Sequence, residues 1–201
     1  MNSKIQLSDF ERELLLDPKW ILTKNNVIRK TQELLGVVQE NIIDYIRSNP
    51  SLLPMEVLRI PPKISKGENY LGLPWLILDF PRHFEKENIF AIRTMMWWGR
   101  FFSTTIHLTG KHKESFSKKI IEHYDQLSLQ DAYFCINEDQ WKHHLENDNY
   151  RLVKEISRTE LEDQIHKSPF IKLAKKNPLS QWDNAINILS NEFVQVTKWL
   201  N

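Results

Sequence analysis

The chain has 201 residues, with 27 lysines and arginines against 26 aspartates and glutamates, and 41% of its residues are apolar. This is the balance of an ordinary globular protein, long enough to bury a core without a disulfide or metal staple. It excludes disorder, a strongly basic nucleic-acid binder and, with no apolar run near the roughly 20 residues a bilayer requires, a membrane-spanning helix.

The single cysteine, Cys135, can form no intrachain disulfide. The N-terminus, MNSKIQLSDFERELL, has no apolar stretch before its acids begin, so it does not read as a signal peptide. Together these point to the cytoplasm. Gly67 and Gly72 have the spacing of a phosphate loop, but Leu73 and Pro74 stand where lysine and a hydroxyl residue are needed. No cofactor is expected.

In chain order, Ser8 caps a short predicted helix over 8–16 that ends before Pro18. A longer helix over 19–48 carries Ile21, Ile28, Leu35, Val38, Ile42 and Tyr45 on one stripe, and Ser48-Asn49-Pro50 stops it. Residues 51–67 are proline-rich and read as a connector with short extended pieces. Leu73–Phe80 is apolar almost throughout, which predicts a strand covered on both faces and ended by Pro81.

Two β-type runs follow, Phe90–Trp98 and Phe101–Thr109, separated by Gly99-Arg100. A two-residue loop with glycine first is the signature of a type II′ hairpin. That turn would pair Trp98 with Phe101, Trp97 with Phe102 and Arg93 with Ile106. One face would then hold Arg93, Met95, Trp97, Phe102, Thr104, Ile106 and Leu108, and being the more apolar it should meet the core. The other would hold Trp98, Phe101, Ser103, Thr105 and His107.

Residues 112–126 return to helical spacing, Tyr133–Ile136 suggests a short strand, and Asn137 is placed to cap a helix reaching His144. Tyr150–Ile156 alternates as a strand does, Arg158–His166 is a helix, and Pro178 precedes a C-terminal helix over 179–200. The fold class is therefore α+β: a central antiparallel meander containing the Gly99-Arg100 hairpin, packed against N- and C-terminal helices. The whole chain, 1–201, reads as one domain, with a helical segment at 1–50, mostly strands over 58–157 and helices over 158–201.

Arg93 is the first candidate site residue. A guanidinium among Met95, Trp97 and Phe102 must reach water or a carboxylate, and Asp79 on the neighbouring strand, or Glu68, is the expected partner. Trp97, Trp98, Phe101 and Phe102 crowd the hairpin tip beside Arg100, where exposed aromatics would mark a binding surface and buried ones would only stabilise the hairpin. His107, among Ser103, Thr105 and Thr94, is a candidate base, weakened by lying on the face opposite Arg93. His143 and His144 are adjacent and so diverge on a helix, no H-E-x-x-H occurs, and no metal site is read.

The stretch NYLGLPWLILDFPRHFEKENIFAIRTMMWWGRFFSTTIHLTG resembles phrases in small bacterial proteins of unknown function, over about a fifth of the chain. The resemblance implies a bacterial, cytoplasmic protein and assigns no catalytic residue. Two functions are weighed. The first is a non-catalytic interaction module using the aromatic hairpin, whose partner is another protein or a second copy. The alternative is a protein or enzyme that holds an anionic small molecule between sheet and helices, through Arg93 and aromatic walls. Neither nucleic acid nor membrane is an expected partner.

Overall fold

Ser8 caps the first helix through a reciprocal capping box: its hydroxyl accepts the Glu11 N–H at 3.2 Å, and Glu11 accepts the Ser8 N–H at 2.7 Å. In this computed structural model residues 5–201 are described, and residues 1–4, on which part of the N-terminal reading falls, lie outside them. Helix α1 (Asp9–Leu16) is followed at once by α2 (Pro18–Ser48), with Pro18 at the first helical position and Asp17 accepting from Lys19 N at 2.9 Å. No residue of α1 is buried, and α2 buries nothing before Ile28. From Ile28 onward a stripe of Leu35, Val38, Ile42 and Ile46 enters the core.

The sheet has seven strands: β1 (Lys63–Tyr70), β2 (Leu73–Phe84), β3 (Ile89–Trp97), β4 (Phe101–Thr109), β5 (Tyr133–Cys135), β6 (Tyr150–Leu152) and β7 (Phe170–Pro178). Their order is β1-β2-β3-β4-β7-β5-β6, and every recorded pairing is antiparallel. The remaining helices are α3 (Met55–Leu58), α4 (Gly110–Glu122), α5 (Tyr124–Leu129), α6 (Arg158–Lys167) and α7 (Ala185–Lys198). The fold is α+β, with N- and C-terminal helices flanking the sheet. No helix among the described residues is long and apolar enough to cross a membrane.

The hairpin register differs from the expectation by one step. Trp97, not Trp98, pairs with Phe101, and Arg93 pairs with Thr105. The turn is closed by Arg100 N donating to Trp97 O at 3.0 Å, with Gly99 at φ +68° as its second central residue. Positive φ at that position belongs to a type II turn, where glycine is favoured, and not to type II′. The apolar pattern could not choose between the registers, because all nine residues of β4 are buried and neither face is marked as outer.

The slip sorts the β4 side chains anew. Phe90, Ile92, Met96, Phe102, Ile106 and Leu108 share one apolar cluster with α2, α4, α6 and α7. Met95, Trp97 and Phe101 join Ile77, Phe170 and Tyr150 in a second cluster on the opposite face. Phe102, Ile106 and Leu108 therefore do not share a face with Arg93, and His107 does.

Other differences have local causes. Strand β2 is not ended by Pro81: a bulge between Asp79 and Arg82 absorbs it, and pairing resumes at Arg82–Ala91. The segment from Asn137 to His144 is not helical, since the Asn137 and Asp139 carboxamide and carboxylate accept backbone N–H groups two residues on and hold turns. The helix expected over 112–126 divides at His123. Strand β6 stops at Leu152, and the C-terminal α-helix starts at Ala185, each next to a 3-10 turn. Strand β7 was not anticipated at all.

At Gly67, opposite Trp75, the indole lies so close that a Cβ would sit 2.5 Å from the ring. Only glycine lets Trp75 lie across β1 there.

Candidate functional site

The sheet face away from the helices is covered by an irregular segment, 136–149, between β5 and β6. Beneath it lies a cluster of charged and polar side chains. Arg93 on β3 donates to Asp79 on β2 through Nε at 2.7 Å and Nη2 at 3.1 Å, a two-pronged ion pair across the strand pairing. Its Nη1 lies 3.3 Å from His143 Nε2 in the covering segment. Glu68, the other partner considered, pairs with Lys24 instead.

His107 on β4 faces the same segment and bonds Gln140 Oε1 through Nε2 at 2.8 Å. Lys172 on β7 donates to the carbonyls of Gln140 at 2.8 Å and Lys142 at 2.6 Å. Tyr70 supplies a third anchor. Its hydroxyl accepts the N–H groups of His143 at 2.6 Å and His144 at 3.1 Å, and bonds His144 Nδ1 at 2.9 Å. His144 Nε2 in turn lies 3.1 Å from Asp148.

Burial sets the electrostatics. Desolvation, helped by the Lys172 charge, pushes His107 down to about 3. Desolvation and then Arg93 push His143 down to about 2. Burial lowers Lys172 to about 8, raises the Cys135 thiol, and raises the Tyr150 hydroxyl well above its ordinary value. Held at about 3, His107 has too little proton affinity to serve as a base at pH 7, and a protonated Cys135 is a poor nucleophile. Every buried side-chain nitrogen and oxygen among the described residues has a partner. The cluster therefore acts as a staple that holds residues 136–149 on the sheet.

The structure thus brings Asp79, Arg93 and His107 under one cover, where the sequence had separated Arg93 from His107. It buries Trp97 and Phe101, 5.4 Å apart edge to face, and leaves Trp98 half-buried on the helix side. Arg100 is exposed and lies over the Trp97 ring at 5.3 Å. No protein-family model, curated protein or solved structure matches this chain.

Two surfaces remain open. An open groove of about 580 Å³ runs past the hairpin tip, where Arg100, Lys154, Lys175 and Lys176 stand against Asp131, with Phe101 and Tyr133 among its walls. The other is the N-terminal arm. Ile5, Leu7, Phe10, Leu15, Leu16, Trp20, Ile21 and Leu22 are all exposed, Leu16 at 76% and Phe10 at 66%. Among the described residues, more than half of the exposed large apolar side chains fall in this arm. Sequence periodicity placed Ile21 on the core stripe, but the body of the protein does not extend far enough to meet it.

Proposed function

We propose that this protein is a non-catalytic interaction module that pairs with a second copy of itself through its N-terminal arm, residues 5–27. The observation that carries this reading is a set of eight apolar side chains, each 41–82% exposed, along a stretch of chain that buries nothing before Ile28. At roughly 100 Å² apiece they would offer about 800 Å², one partner's share of a standard stable interface. Large apolar side chains exposed in such number mark a contact.

Charge selects the occupant. Residues 9–17 carry four acids and one arginine, whereas residues 18–32 carry Lys19, Lys24, Arg29 and Lys30 and no acid. Two arms laid antiparallel about a two-fold axis set the acidic end of each against the basic stretch of the other. Trp20, near the junction of the two charge blocks, would be the central anchor. One buried, free cysteine suits a reducing compartment, and we place the module in the cytoplasm.

Sedimentation velocity across a concentration series tests this. The chain should sediment as a dimer at micromolar concentration, and Trp20→Ala should weaken the dimer at least tenfold, since each substitution acts twice. Leu16→Lys should do the same with the thermal midpoint of the body unchanged. A wild-type chain that stays monomeric at 100 times micromolar concentration refutes the proposal.

A second reading is favoured by the groove at the hairpin tip. Its four cations against one carboxylate suit a polyanionic small molecule, with Phe101 and Tyr133 as walls. Arg100 would be its main contact, in the forked geometry that lysine lacks.

A further inference from the structure

A third cluster lies apart from both surfaces, on the helix side of the sheet. His83 near the end of β2, His112 in the first turn of α4 and Glu56 in α3 bring one donor atom each to within 4.8 Å of one another. We propose that these three side chains bind a divalent metal ion of the zinc type, with Glu85 orienting His83.

The hydrogen bonds determine which lone pairs are free. Glu85 Oε1 lies 3.0 Å from His83 Nε2, so that nitrogen carries the proton and donates it to the carboxylate. His83 Nδ1 is then a bare acceptor, and it faces His112 Nε2 at 3.2 Å. The other nitrogen of His112, Nδ1, is 3.8 Å from Glu56 Oε1.

A proton on Nδ1 would point toward the carboxylate and leave two lone pairs opposed. A proton on Nε2 would bridge the imidazoles but turn the Nδ1 lone pair toward the anion. A cation between His83 Nδ1 and His112 Nε2 removes the conflict. Four-coordinate zinc, with bonds of about 2.0–2.1 Å, sets its ligands roughly 3.3–3.4 Å apart, close to the separation found.

The donor set fits such an ion. Two neutral imidazoles and one carboxylate are preferred zinc ligands, and a histidine whose second nitrogen donates to a carboxylate is the usual outer-shell arrangement. His112 is buried and its ring is backed edge-on by Phe90 at 5.7 Å, so one side is dry. Glu85 is exposed and Glu56 half-buried, so the opposite side opens to water and leaves room for a fourth ligand. Lys111 Nζ holds Glu56 Oε2 at 2.9 Å and competes with the metal for that carboxylate.

The test is zinc titration of chelator-stripped full-length protein against a chromophoric competitor. One equivalent should bind. His83→Gln should weaken binding at least a hundredfold and Glu85→Gln about tenfold, while Lys111→Met should tighten it. His144→Gln and His166→Gln should change nothing. His83 is only half-buried, and matching circular dichroism of its variant separates lost binding from lost fold. Failure to bind one equivalent of zinc, or binding by His83→Gln equal to wild type, overturns the proposal. So would loss of binding in His144→Gln, which would place the ion under the 136–149 segment.

Discussion

Acid should unfold this protein through two histidines that the fold keeps neutral. In the unfolded chain an imidazole titrates near 6.5, whereas His107 is held at about 3 and His143 at about 2. Between pH 6.5 and 3 the unfolded state takes up a proton at each position that the folded state refuses. Their contribution is fully present above pH 6.5 and is lost as the pH falls. One proton of difference is worth about 1.4 kcal/mol per pH unit.

Together the two histidines should give a slope of about 2.7 kcal/mol per unit below pH 6, and by pH 4.5 the loss reaches about 5 kcal/mol. That is at least a third of the total for most domains of this kind. Urea denaturation of wild type, His107→Gln, His143→Gln and the double variant, repeated at half-unit steps from pH 7 to 5, measures the slope directly. Each glutamine should remove about 1.4 kcal/mol per unit. A slope that survives in the double variant would refute the argument, because it would place the acid sensitivity elsewhere.

Two further outcomes follow from the same face of the sheet. Asp79→Leu should cost about 3–5 kcal/mol by leaving the Arg93 guanidinium without its counter-charge, whereas adding Arg93→Met should recover most of that loss; a double-mutant cycle of these two substitutions in urea checks this, and strict additivity would contradict it. Lys172 titrates near 8 when folded and 10.5 when unfolded, so stability should climb by about 1.4 kcal/mol per unit as pH rises between those values. Lys172→Met should abolish the climb and speed amide exchange in residues 136–149, and an unchanged slope would count against the clamp.

The helices were legible in the sequence because each buries one stripe: Ile28, Leu35, Val38 and Ile42 recur as a core-facing surface requires. The cap at Ser8 was equally plain. The strands of the meander were legible as β-type runs, but their register was not. Register is read from the contrast between a buried and a wet face, and the covering segment 136–149 abolishes that contrast for β3 and β4.

Strand β7 was obscured for a related reason. Lys172, Lys175 and Lys176 give Phe170–Pro178 the look of a polar connector, yet Lys172 is 2% exposed and spends its charge on backbone carbonyls. The alternation of Ile171, Leu173 and Lys172 was the available signal. The Asp79–Arg93 pair was readable from charge economy alone. The partners of Tyr70 and His143 meet it only in space, and no spacing announces them.

The position of β7 has a consequence for how the protein is made. Strand β4 lies mid-sheet, but its second neighbour is made well after it, and Thr109 must wait for Phe170. Until then a nascent chain carries a four-strand ribbon with one bare rim, nine residues long and apolar on the face of Phe102, Ile106 and Leu108. Translation of residues 110–170 is therefore the interval in which a chaperone has most to protect, and a message truncated there would yield a template for aggregation rather than a shorter folded protein.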